Sequence, residues 1–309
     1  MHRSIGDSTR EYARGIAGGL LFSLPLLYTM EMWFAGLTAR PARLIVYVLV
    51  TYVLLLGYNR YAGLREDASF AEVAIDSVEE MGLGLVIATI VLWFCGRITG
   101  EMTNAEIVNQ IVVEAMTVAI GVSVGTAQLG GGEQTESGER SDDDKPPDDD
   151  TNADNRGTKD DVSFSGQLVI AMCGAVLFAA NVAPTEEILV IAIESSPLKL
   201  FGLSLMSLVF GVLILTYSGL HGADKFVRAS EARFVLMNAF ITYAVALLAA
   251  GLILWFFGRF DGQSLEICLA QTVVLGVAGA LGASAGRLLL QAGAGGNNGD
   301  GDVKSEDTN

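Results

Sequence analysis

The chain has 309 residues, 51% of them hydrophobic and 17% charged, with a mean hydropathy of +0.45 and a formal net charge of −16. The acids are concentrated: residues 130–163 hold twelve Asp/Glu against four Lys/Arg, and residues 292–309 hold four against one. What remains is a long apolar chain, which excludes a soluble globular enzyme, a nucleic-acid binder with a basic face and a disulfide-stapled secreted domain.

Apolar stretches of about 20 residues are long enough to cross the hydrocarbon core as helices. Eight occur in chain order: 13–37, 42–62, 73–96, 105–128, 165–193, 198–219, 232–257 and 265–290. The predicted fold is therefore all-α, a polytopic membrane protein of eight transmembrane helices. The first stretch is too long for a signal-peptide core, so a retained helix is expected. With the N-terminus inside, fourteen of the nineteen Lys/Arg fall on the inner side and five on the outer, at Arg40, Arg43, Arg97, Lys199 and Arg259. By the positive-inside rule both termini and the acidic linker face the cytoplasm of a cell (plasma) membrane protein.

The linker is rich in Gly, Pro, Ser and Asp and has no aromatic side chain, so it cannot form a packed core. Its Asp clusters lack the spaced ligands and terminal Glu of a calcium loop. The Asp-heavy composition, with 14 Arg and only 5 Lys, resembles the acidic surfaces of halophile proteins. A plain disordered acidic tether is the competing explanation.

The chain also carries its own duplicate. At an offset of 156, Gly18 meets Gly174, Leu21-Phe22 meets Leu177-Phe178, Glu31 meets Glu187, Pro41 meets Pro197, Arg43 meets Lys199 and Tyr61 meets Tyr217. At 162, the run from Val91 to Arg97 meets that from Ile253 to Arg259; at 161, Gln110 meets Gln271, Gly121 meets Gly282 and Gly125 meets Gly286. The offset changes fall in loops, where insertions are tolerated. Each half has four spans, an even number, so two parallel four-helix repeats are expected, not inverted ones. The predicted domains are 1–129 and 164–291 as membrane repeats, 130–163 as a disordered acidic linker and 292–309 as a disordered acidic tail. Gly121 with Gly125, and Gly282 with Gly286, are small-xxx-small pairs suited to helix packing.

The run from Gly18 to Trp33, with LYTMEMW at Leu27–Trp33, and the run Val182-Ala-Pro-Thr-Glu-Glu187 resemble an uncharacterised family of integral membrane proteins of bacteria and haloarchaea, a domain of unknown function. The resemblance covers nearly all the chain outside the acidic segments. It implies a membrane location and no catalytic residues.

Ionisable side chains within spans cost roughly 2.5–3.5 kcal/mol to insert and mark functional candidates. Here they are Glu31, Glu187, Glu186, Glu114, Glu79 and Glu80. Glu31 and Glu187 are repeat mates, and Glu114, nearest a midplane, pairs with Leu275. Pro25 and Pro184 precede the duplicated pair. A proline kink frees a carbonyl, and a carboxylate beside it makes a candidate path for protons or monovalent cations. The bland alternative is a packing kink, with each Glu hydrogen-bonded to Thr29, Thr185 or Asn181.

An enzyme is not expected. A glutamate protease needs nearby His and Arg, a di-metal bundle needs Glu-x-x-His pairs, and no span interior offers a histidine. Cys95, Cys173 and Cys268 form no metal-ligand pattern, and no cofactor motif or metal site is evident. Two classes remain. One is a carboxylate-based proton or cation transporter or channel; the other is a non-transporting membrane scaffold or sensor with an acidic docking linker. The expected partner is the lipid bilayer, with no nucleic acid, and the oligomeric state is open.

Overall fold

The computed structural model describes residues 5–63, 69–130, 164–219 and 229–295. The acidic linker from 131 onward, the tail from 296 and both histidines lie outside the described residues. Among the described residues the fold is all helix, with no strand. In chain order the helices are α1 (Ile5–Leu27), α2 (Met30–Thr38), α3 (Pro41–Ala62), α4 (Phe70–Phe94), α5 (Asn104–Gly130), α6 (Phe164–Ala180), α7 (Glu187–Glu194), α8 (Pro197–Gly219), α9 (Ala229–Phe256) and α10 (Leu265–Gly295). Six are long and apolar enough to cross a bilayer: α3, α4, α5, α8, α9 and α10. The pair α1 and α2 makes a seventh candidate span, bent by 85°, and α6 is a shorter apolar helix.

The first and fifth expected spans are therefore not single helices. The chain breaks at 28–29 and at 181–186. Pro25 has no N–H for the carbonyl of Leu21, four residues back, which weakens the last turn of α1. The carbonyls exposed at that end find other donors. Thr29 Oγ1 donates to Pro25 O at 2.6 Å, Thr29 N to Leu26 O at 2.9 Å, and Trp33 Nε1 to Leu27 O at 3.1 Å. At the second break Asn181 Nδ2 donates to Leu177 O at 2.6 Å, and Thr185 Oγ1 to Val182 O at 2.8 Å. Pro184 sits in the turn itself, buried. Thr29, Thr185 and Asn181 thus cap backbone and do not bond the nearby glutamates. Backbone polar groups at membrane depth must be satisfied inside the protein, and these side chains do so.

The remaining ends are set by local chemistry. Pro41 opens α3 and Pro197 opens α8, where a missing N–H costs nothing. Ser69 with Glu72, and Thr103 with Glu106, form reciprocal caps ahead of α4 and α5. Two helices end on glycines in the left-handed region: Gly96 at φ 66° after α4 and Gly258 at φ 72° after α9. In each case the next arginine closes the end, Arg97 N to Leu92 O at 2.8 Å and Arg259 N to Leu254 O at 2.9 Å. Any side chain with a Cβ is strained at that φ, which accounts for a glycine in both WF-x-Gly-Arg runs.

Packing centres on α5 and α10. Helix α1 lies along α5 and α6 lies along α10; α4 and α9 flank them in turn, while α3 and α8 pack on the same two helices. The contacts are backbone on backbone. A Cβ on Gly18 would collide with the backbone of Gly125 and lie 2.9 Å from the carbonyl of Gly121. A Cβ on Gly174 would collide with the carbonyl of Gly282, and one on Gly286 would come within 3.1 Å of Ile170 O. Gly121, Gly125 and Gly282 are buried and Gly286 is half-buried, all against helices.

One face of the first half meets the second. Helix α3 packs on α6, where Cys173 Sγ lies 3.6 Å from Leu54 O and a Cβ on Gly57 would stand 3.7 Å from that of Val169. Tyr47 stacks on Phe256 at 4.1 Å, and Asn181 Nδ2 also reaches Phe22 O at 3.2 Å. Outside the apolar zone, Arg43 Nη2 donates to both oxygens of Asp261 at 2.7 and 2.9 Å.

Two outcomes follow from these contacts. Gly18→Leu or Gly174→Leu forces helix backbones apart and is expected to cost about 1–3 kcal/mol or more. Gly202→Leu, with nothing within 4 Å of its Cβ, is the control; thermal unfolding in detergent compares the three, and equal midpoints would contradict the packing. The hydrogen bond from Arg43, with the charges of Arg43 and Arg40, holds the Asp261 carboxyl below the usual aspartate range. Its stabilisation is complete above the unfolded-state value of about 3.9 and is lost as pH falls through the lower folded-state value. The melting difference between wild type and Asp261→Asn should then be present at neutral pH and vanish in acid.

Candidate functional site

The sequence candidates separate sharply once placed. Glu31 sits in the first turn of α2, half-buried, beyond the break and not within a continuous span. Glu187 opens α7, also in its first turn, and is exposed, as is Glu186 just before it. A carboxylate in a first helical turn is favoured by the unpaired N–H groups and the helix dipole there. That local reward explains both residues without a bound ion. Glu79 is exposed on α4.

Glu80, half-buried on α4, belongs to a polar cluster. Asn59 Nδ2 donates to Glu80 Oε2 at 2.7 Å and to Ser77 Oγ at 3.1 Å, and Ser123 Oγ donates to Asn59 Oδ1 at 2.8 Å. The cluster ties α3, α4 and α5 together.

Glu114 is different. It is 0% exposed, and neither carboxylate oxygen has a hydrogen-bond partner among the described residues. It lies two residues from the middle of the apolar span Asn104–Gln128. One turn before it on the same face of α5, Gln110 is buried with Oε1 unpaired; one turn after it, Thr117 shares a 2.8 Å hydrogen bond with the hydroxyl of Tyr47. Gly36 of α2 closes over Gln110, where a Cβ would stand 2.7 Å from the Gln110 Cα. The spacing Gln110, Glu114, Thr117, Gly121 continues the polar stripe into the glycine contact with α1. Charged oxygens in such a place cost several kcal/mol.

The second half has another polar centre. Arg287, buried in α10, donates from Nη1 to Thr242 Oγ1 at 2.6 Å and from Nη2 to Gln167 Oε1 at 2.7 Å. A small cavity bounded by Gln167, Asn238, Thr242 and Val245 adjoins it. Thr242 and Asn238 stand 162 residues after Glu80 and Asp76, the offset that aligns the two WF-x-Gly-Arg runs.

Sequence reasoning missed Asn59, Ser123, Tyr47, Thr117 and the inward role of Arg287. The available signals were Asn59 in the last turns of an apolar helix and Arg287 ahead of three leucines. The structure does not place Glu31, Glu187 and Glu114 on one element; they stand on α2, α7 and α5.

Long apolar helices, backbone contacts at small residues and a carboxyl held at mid-span define a polytopic integral membrane protein. The chain belongs to the family described as "Putative integral membrane protein (DUF2391)", whose model matches residues 11–290. No curated protein and no solved structure matches the chain.

Glu114 and Asn59 should respond oppositely to truncation. Leu275, which the sequence aligns with Glu114 at an offset of 161, is fully buried in α10, so Glu114→Leu should fold and be as stable as wild type or up to about 1–3 kcal/mol more stable. Asn59→Ala strips a partner from Glu80 and from Ser123 and should cost about 1–3 kcal/mol. Chemical unfolding of the three proteins in one detergent checks both.

Proposed function

We propose that this protein moves protons, or exchanges them for a monovalent cation, across a cell membrane, with Glu114 as the group that carries the proton. The observation behind this is a carboxyl at mid-span, 0% exposed, with no hydrogen-bond partner on either oxygen among the described residues. A purely structural polar group at that depth is expected to be bonded, and an intramembrane acid that is not is a functional candidate by default. Enclosure on all sides corresponds to an occluded conformation, from which opening toward either face would let the acid exchange its proton.

The rest of the chain is read as a tandem of two parallel halves, each contributing four passes, with the first pass of each half broken. The recurrence of the packing order supports this: α1 on α5 and α6 on α10, with breaks at equivalent positions and glycine-ended helices at Gly96 and Gly258. The Lys/Arg bias supports cytoplasmic termini and a cytoplasmic acidic linker. Glu31 and Glu187, in the first turns of α2 and α7, are assigned a lesser role, drawing cations toward the path by charge.

Flux into proteoliposomes tests the proposal. Proton, sodium or potassium movement is expected with wild type and should fall to the level of empty liposomes with Glu114→Gln, an amide of similar shape. The double variant Glu31→Gln, Glu187→Gln should slow flux without abolishing it. Absence of flux in wild type for all three ions, or unchanged flux in Glu114→Gln, would overturn the assignment and favour a membrane scaffold that docks partners through its acidic linker.

A further inference from the structure

The contact between the halves is one-sided. Helix α3 packs on α6, but among the described residues α8 makes no comparable contact with α1, although the repeat maps α3 onto α8 and α6 onto α1. A two-fold relation between the halves would make both contacts at once. The halves are instead joined head to tail, and one copy of each joining surface is left over. We propose that the leftover surfaces join copies of this chain to one another, with the α8 face of one copy seated on the α1 face of the next as α3 is seated on α6. This rests on the tandem-repeat reading above.

The exposures carry the argument. Leu177 of α6 is 2% exposed, and its mate Leu21 of α1 is 70% exposed. Cys173 and Ala180 are buried, whereas their mates Ala17 and Leu24 are exposed. Phe256, stacked on Tyr47, is 8% exposed, and its mate Phe94 is 76% exposed. On the other surface, Leu54 and Gly57 of α3 are half-buried, and their mates Phe210 and Leu213 of α8 are exposed. Lipid can cover any apolar face, so exposure alone identifies no partner. Here the uncovered positions include the mates of Cys173 and Phe256, which the in-chain contact covers through Leu54 and Tyr47. Ala13 and Ala17 of α1 are small, as Cys173 is, and leave room for the larger Phe210 and Leu213. Charge fits as well. Lys199 takes the place of Arg43, and the α4–α5 loop, the counterpart of the one bearing Asp261, carries the exposed Glu101. A head-to-tail contact of this kind repeats from copy to copy and closes into a ring when the rotation permits.

Disulfide trapping in native membranes tests this, in a background with the three native cysteines replaced. Gly57→Cys with Val169→Cys is the in-chain control, since their Cβ atoms would stand 3.7 Å apart, within disulfide range. It should hold the halves together after protease cuts the linker. The mates are Leu213→Cys and Ala13→Cys. Placed in one chain, they should give a ladder of cross-linked species ending at the ring number; placed singly in two co-expressed, differently tagged chains, they should give only the mixed dimer. Control bonding without the intermolecular bond, together with a monomer mass in lipid particles, would overturn the assembly and leave the two-half reading standing. Cross-linking by either single variant with itself would overturn the head-to-tail arrangement. Failure of the control pair would remove the in-chain contact, and the two-half reading and the proposal with it.

Discussion

Apolar side chains gain nothing by leaving lipid for protein, so helices in a bilayer stay together where their backbones can approach closely. In this chain that approach is made at Gly18 against Gly121 and Gly125, and at Gly174 against Gly282. Those crossings lay α1 along α5 and α6 along α10, and the other helices are arranged around the two central ones. The burial pattern follows: the α5 span is mostly buried, whereas that of α8 is largely exposed. Glu114 is sealed because α5 is an enclosed helix. Leu275 on α10 occupies the equivalent place with an apolar side chain, so burial there demands no carboxyl.

The broken helices modify this frame without weakening it. Each break exposes backbone carbonyls, and each has its own donors: Thr29 and Trp33 in one half, Asn181 and Thr185 in the other. With those carbonyls engaged, the breaks are poor cages for a cation, which turns attention from Glu31 and Glu187 to Glu114. Arg97 lies over the Trp33 ring at 4.6 Å and holds α2 against the α4–α5 connection, so the bend is fixed on both sides.

Much of the fold was legible in the sequence, for definite reasons. Apolar runs bounded by loops give helices long enough to cross lipid, and α3, α4, α5 and α8 to α10 lie close to the expected stretches. The breaks were harder to read. Pro25 and Pro184 signalled perturbation, but a kink and a full break differ only in whether the freed carbonyls find donors, and those donors come from side chains a turn or more away. The candidate site was legible as a set of acids and not as a ranking. Glu31 drew attention because the sequence aligns it with Glu187, and such an alignment says nothing of burial. Glu114 stands out only when its side chain is seen to be fully enclosed. The partners Tyr47 and Asn59 lie 70 and 64 residues from Thr117 and Ser123, a separation that no local pattern reveals.

The account depends on the glycine crossing in the first half enclosing Glu114. Thiol reactivity tests this most directly. Glu114→Cys, in a background lacking the native cysteines, is treated with a water-soluble, membrane-impermeant thiol reagent in open membrane fragments, with Glu187→Cys as the exposed reference. The enclosed fold requires the thiol at 114 to stay unmodified while that at 187 reacts, and to become reactive when Gly18→Leu parts α1 from α5. Reaction at 114 as fast as at 187 without that second change would contradict it.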